Sequence, residues 1–142
     1  MLLPVIQEHH ARAAKVLVVD DNAANRQLVV TLLKYQGHSM FEAGDGREAL
    51  GMARVVHPQL VIADIVMPTM DGFEFVRQLR ANPELANSAV IFYTAHFHER
   101  EALKLAQTCQ VAGVIVKPCE PTDILNAVDR ALRCSRGPFG LA

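Results

Sequence analysis

Five polar residues stand directly behind short apolar runs: Asp20 and Asp21 after 15–19, Asp64 after 60–63, Thr94 after 89–93, and Lys117 after 113–116. An acidic residue in such a place is often only a helix cap, and Asp21 or Asp64 taken alone fits that reading about as well as any other. Together they ask for more. If the runs are strands of one parallel sheet, three carboxylates, a hydroxyl and an ammonium share one rim. Carboxylates that close repel and raise one another's pKa unless a cation neutralises them. Hard oxygen ligands with open positions suit Mg²⁺, which keeps several waters and commonly recruits a phosphate oxygen. Lys117 is suited to balance the charge of a phosphoryl group and Thr94 to donate a hydrogen bond to it. The set fits in-line transfer to a carboxylate nucleophile, with catalysis by positioning and electrostatics.

The elements that must carry these residues follow from periodicity. Lys15–Val19 and Leu60–Ala63 are apolar and β-branched, as strands buried on both faces are. Ser39–Ala43, Ala89–Tyr93 and Gly113–Val116 complete five strands. Between them, Ala24–Tyr35 places Leu28, Leu32 and Tyr35 at helical spacing behind the cap Asn22 and is stopped by Gly37. Gly46–Val56 turns Ala49, Leu50 and Ala53 inward. Asp71-Gly72 makes a turn whose Asp caps a helix over Phe73–Arg80. A further helix is expected near Glu99–Gln107, and a last one over Pro121–Arg133 opens with proline in its first turn and buries Ile124, Leu125, Val128 and Leu132. Alternating strands and helices imply right-handed crossovers and a doubly wound α/β fold: five parallel strands, helices on both faces, and the ligand site at the carboxyl ends of the strands.

Composition narrows the function. The 142 residues are 51% hydrophobic and 20% charged, enough for one domain with a substantial core. Fourteen Lys and Arg oppose fifteen Asp and Glu for a net charge of -1, so no attraction to nucleic acid or anionic membrane is built in. No apolar run approaches the roughly 20 residues of a spanning helix. The apolar start Met1–Ile6 lacks a basic leader, so a cytoplasmic protein is expected. Cys109, Cys119 and Cys134 form no CxxC pair and read as reduced thiols.

The segments Val-Val-Asp20-Asp21-Asn22, Asp64-Ile-Val-Met-Pro68-Thr-Met-Asp71-Gly72, Thr94-Ala95 and Lys117-Pro118, in this order and spacing, resemble the receiver domain of two-component response regulators. The resemblance covers about Lys15 to Arg133, between an N-terminal extension over 1–14 and a tail over 134–142 that reads as frayed. It implies the flavodoxin-like strand order 2-1-3-4-5. It also implies that Asp64 is the phosphoacceptor, served by a histidine kinase or histidine phosphotransfer protein. Asp20 and Asp21 match the pair that holds Mg²⁺, with Asp64 and the backbone carbonyl of Val66 completing the protein ligands. Thr94 matches the switch hydroxyl, Lys117 the lysine that pairs with the phosphoryl group, and the Lys117–Pro118 peptide would be cis.

Three positions bear on how far the family pattern carries over. Val114 stands where receivers often carry an aromatic residue whose rotation accompanies movement of the threonine, so aromatic gating is not expected. Val66 and His96 occupy the positions that tune acyl phosphate lifetime in receivers. Val66 cannot orient an attacking water, which favours a long lifetime, while His96 either orients one or faces solvent. His96 and His98 flank Phe97 with no helical metal spacing and read as loop histidines. Met67 and Met70 fit a malleable docking surface or core filling equally well. With nine residues after Arg133, output is expected through protein contacts and not through DNA. Two alternatives stay open: an unphosphorylated pseudo-receiver, and a small Mg²⁺-dependent phosphatase with Asp64 as nucleophile.

Overall fold

The computed structural model describes residues 13–95, 103–104 and 107–141, with 134–141 described by their backbone alone. In chain order the elements are β1 (Lys15–Val19), α1 (Ala23–Tyr35), β2 (Ser39–Ala43), α2 (Gly46–Val56), β3 (Leu60–Ala63), α3 (Gly72–Ala81), β4 (Ala89–Thr94), β5 (Gly113–Val116) and α4 (Pro121–Leu141). The strands form one sheet of order β2-β1-β3-β4-β5, every neighbouring pair parallel. This is the expected doubly wound fold. The order reverses between β1 and β3, where such folds bind their ligands.

Period-two alternation divides the strand side chains between two cores. Leu17, Val19, Val61, Ala63, Val90 and Phe92 meet Ala49, Leu50 and Ala53 of α2 and Phe75, Val76 and Leu79 of α3. Val16, Val18, Leu60, Ile62, Ile91 and Tyr93 meet Val29, Val30 and Leu33 of α1 and Ile124, Val128 and Leu132 of α4. Burying each such Val, Leu or Phe contributes about 1.5–3 kcal/mol, which is why the central strands can be apolar throughout. Met67 is buried in the first core with Met70 packed against it, so these methionines fill core space.

Asn22 and Asp71 cap their helices as expected, and Asp45 caps α2 as well. Asn22, Asp45 and Asp71 each accept a hydrogen bond from the backbone N–H three residues on, at 2.9, 2.8 and 2.8 Å. Gly37 ends α1 with φ at 96°, a left-handed value suited to glycine.

Three expectations are corrected. The inward stripe of α1 is Val29, Val30 and Leu33, while Leu28 and Tyr35 are exposed by 50% and 83%. Both stripes have helical spacing, and contact with the sheet selects between faces that the period alone leaves equivalent. The last helix runs on to Leu141, past the frayed end expected after Arg133. Residues 133–136 contain no Gly or Pro, so propagation adds a hydrogen bond for each residue ordered as far as Arg136; the helix's continuation through Gly137 and Pro138 has no explanation in the local sequence. Leu125 is only half-buried. Of the helix expected near 99–107, residues 103–104 and 107 are described and helical, and the remainder lies outside the described residues, as does His96. Among the described residues no helix is long and apolar enough to cross a membrane.

Candidate functional site

Strand register builds the site. Val19 pairs with Ala63, so Asp20 and Asp64 emerge side by side as the central strands end. The ladder continues through them: Asp20 N–H donates to the Ala43 carbonyl (3.1 Å) and Asp64 N–H to the Val19 carbonyl (3.0 Å). Both carboxylates are thus set on backbone that is still hydrogen-bonded as sheet. Thr94 pairs with Val116, and Lys117 N–H donates to the Thr94 carbonyl at 2.9 Å, which brings the hydroxyl and the ammonium to the same rim.

Local bonds orient the acids. One oxygen of Asp20, Oδ1, accepts from Asn22 N–H at 2.9 Å. Asp64 Oδ1 accepts from Ile65 N–H at 2.7 Å and from Val66 N–H at 3.4 Å. The remaining oxygens share a cation: Lys117 Nζ lies 2.7 Å from Asp20 Oδ2 and 3.2 Å from Asp64 Oδ2. Asp20 and Asp64 are buried, Thr94 is wholly so, and Asp21 is exposed. Burial alone would lower the Lys117 pKa, but the hydrogen bond and charge of Asp20, joined by Asp64, hold it above its ordinary value. The ammonium also stands 5.0 Å from the centre of the Tyr93 ring, a cation–π distance. Burial, with the neighbouring Cys119 adding, pushes the Tyr93 phenol up and keeps that ring neutral.

The structure therefore brings together Asp20, Asp21, Asp64 and Lys117, sets Thr94 at the adjoining strand end, and holds the Lys117–Pro118 peptide cis. Val66 lies beside Asp64 with its side chain half exposed, and Val114 packs against the first core. One oxygen from each of Asp20, Asp21 and Asp64 falls within 4.8 Å of the others. Three carboxylates offset by one ammonium leave two negative charges, and the donors are all hard oxygens with one member open to water. That donor set fits a divalent cation of the Mg²⁺ kind.

Three contributors escaped the sequence reading. By pattern alone, Tyr93 is only the end of a strand. Arg26 donates to the Asp20 carbonyl at 2.6 Å and to Glu42 at 2.9 Å, bracing the first acid from α1. Gly72 suits the predicted Asp-Gly turn, but its need is also spatial: a Cβ there would run into the Asp64 carbonyl oxygen, and Gly72 N–H donates to the Ile65 carbonyl at 2.7 Å. The Asp-Gly pair was a visible signal for Gly72; nothing local marked the other two.

Comparison with known proteins decides what this rim belongs to. The sequence profile described as "Response regulator receiver domain" matches residues 16–129. The chain is a member of that family. The receiver is 35% identical over 128 residues to the CAI-1 autoinducer sensor kinase/phosphatase CqsS of Vibrio cholerae, a match that covers 89% of this chain and 18% of CqsS. It is 28% identical to protein PilH of Pseudomonas aeruginosa, covering 84% of this chain and 98% of PilH. The crystal structure of the Vibrio cholerae chemotaxis protein CheY4 superposes with a TM-score of 0.80 at 34% identity, covering 85% of this chain and all of that one. The receiver spans between 18% and 50% of CqsS and of the ycf27 regulators that it also matches. It is a receiver of two-component signalling, with an acidic cluster where the family has its acidic pocket.

Proposed function

We propose that Asp64 accepts a phosphoryl group from the phosphohistidine of a histidine kinase or histidine phosphotransfer protein, and that the resulting acyl phosphate changes the contacts of β4, β5 and the helices beside them with a protein target. The observation that carries this reading is the Lys117 ammonium shared between Asp20 and Asp64 at adjacent strand ends. A cation already sits where negative charge would be added.

The chemistry follows from the two unlike oxygens of Asp64. Oδ1 is fixed by the Ile65 N–H, whereas Oδ2 has only the longer 3.2 Å contact to Lys117. Oδ2 is the oxygen that forms the new O–P bond, while the P–N bond breaks and its electron pair returns to the imidazole ring. Lys117 then shifts its bond from the carboxylate to a phosphoryl oxygen, and the Thr94 hydroxyl donates to another. Asp20, Asp21 and Asp64, with the Val66 carbonyl beside them, would hold Mg²⁺. When bound, the ion supplies charge neutralisation for the phosphoryl oxygens. Val66 offers no group to orient an attacking water, so hydrolysis is slow and the phosphorylated state is long-lived. The reaction belongs in the cytoplasm, where the free thiols of Cys109 and Cys119 stay reduced.

Intact mass after incubation with acetyl phosphate and Mg²⁺ tests the reading. A single labile phosphoryl adduct is expected, lost on omission of metal and in Asp64→Asn. No adduct under any donor or metal condition would establish a pseudo-receiver, and multiple turnover of the donor would establish a phosphatase.

A further inference from the structure

Away from the site, the hydrogen bonds that the Arg80 guanidinium of α3 makes among the described residues all go to main-chain carbonyls. Nε donates to Cys109 (3.2 Å), Nη1 to Ala86 (3.0 Å) and Ser88 (2.6 Å), and Nη2 to Gln110 (3.1 Å). These carbonyls lie in two segments distant in sequence. Ala86 and Ser88 belong to the loop that enters β4, and Cys109 and Gln110 to the turn that leads from helical residues 107–109 into β5. Gln110 is held at φ 56°, a left-handed value that an L side chain adopts only at a cost. Carbonyls either side of that strained residue's N–H are the ones Arg80 grips.

The consequence reaches the opposite end of the sheet. β5 is an edge strand that pairs only with β4, and its residues are half-buried or exposed where those of β4 are fully buried. Its entry is fixed by Ala112 N–H to the Val90 carbonyl (2.7 Å), next to the Arg80 contacts, and its exit by Lys117 N–H to the Thr94 carbonyl (2.9 Å). We propose that Arg80 is a positioning residue for phosphoryl transfer: by tying the entry of β4 to the entry of β5 it sets where Thr94 and Lys117 stand relative to Asp64. The inference rests on the assignment of Asp64 as phosphoacceptor. Lysine cannot replace Arg80, because a single ammonium does not reach carbonyls fanned around a planar fork.

The test compares the whole chain with Arg80→Lys, Arg80→Met and the double variant Arg80→Lys/Gln110→Gly, at a temperature where all are folded. In both single variants the saturating rate of adduct formation from acetyl phosphate falls about tenfold, the order expected for one lost charge-assisted bond, with unchanged half-saturating donor concentration. Amide exchange at Ala112 and Lys117 speeds up by a similar factor, while Asp20 and Asp64, bonded to Ala43 and Val19, keep their protection. Glycine accepts the left-handed turn without strain, so the double variant recovers both readouts. Equal loss of protection at all four amides, with normal phosphorylation of the folded protein, would overturn the proposal and leave Arg80 as general scaffolding. An unmodified wild-type chain, or an adduct that persists in Asp64→Asn, would instead defeat the phosphoacceptor assignment; the exchange pattern then decides for or against the tie between the strands by itself.

Discussion

The two halves of the rim are built by different means. On the β1–β3 side, Asp20 and Asp64 sit on central strands, extend the ladder, and are oriented by N–H groups one or two residues away. On the β4–β5 side, Lys117 leaves an edge strand and reaches its partners 53 and 97 residues away in sequence through a long side chain. The acidic half is fixed by local backbone, and the basic half by contacts that can be exchanged. Such a division would suit the proposed switch: Asp64 is seated by the ladder, and Lys117 is held by side-chain bonds that a phosphoryl oxygen could replace.

The largest effect that would test this division is Asp64→Asn. The amide oxygen still accepts from Ile65 N–H, so the fold is retained while the nucleophile is gone. Complete loss of the phosphoryl adduct with an unchanged circular dichroism spectrum is expected; an adduct on the variant would show that the acceptor lies elsewhere.

Next comes Lys117→Met, which strands two buried carboxylates without their cation. Breaking a buried pair in this way typically costs about 3–5 kcal/mol, and the lower end is expected because the rim is open to water at Asp21. Urea unfolding without metal measures the loss, and Mg²⁺ should restore part of it by neutralising the same carboxylates. If metal leaves the midpoint of the variant unmoved, the three acids do not form one cation site.

Gly72→Ala probes the acidic half alone. Its Cβ would press on the Asp64 carbonyl, so α3 must shift or the backbone of the acceptor must, at a cost of about 1–3 kcal/mol. Phosphorylation should slow even where the protein is folded. A variant that loses stability but phosphorylates at the normal rate would show that Asp64 is not as tightly seated as the ladder bonds imply.

The same contrast explains what could be read without coordinates. Asp20, Asp21, Asp64, Thr94 and Lys117 were legible because each ends a strand, and parallel strands in one sheet must end together. The bounds of β1, β2, β3, β5 and α2 were legible because Gly, Pro and charged residues punctuate them. Tyr93, Arg26 and Arg80 were not. Their roles depend on register and on carbonyls from distant loops, which no local pattern encodes. The buried face of α1 failed for a related reason: Leu28, Leu32 and Tyr35 satisfy the helical period as well as Val29, Val30 and Leu33 do, and only the sheet beneath distinguishes them.

Asp21→Ala should have the smallest effect on the fold and the cleanest one on the metal. Its side chain is exposed, so removing it changes stability by less than about 0.5 kcal/mol, as for most surface substitutions. Its carboxylate nevertheless supplies one of three oxygens within 4.8 Å, and losing a charged ligand should weaken Mg²⁺ binding about tenfold or more. Titration calorimetry with Mg²⁺ separates the two effects. Unchanged affinity would remove Asp21 from the ligand set and leave Asp20 and Asp64 to bind the ion while already sharing Lys117. Weakened affinity with a normal unfolding midpoint would show that the acidic half divides its labour, two buried carboxylates holding the rim in place and one exposed carboxylate capturing the ion.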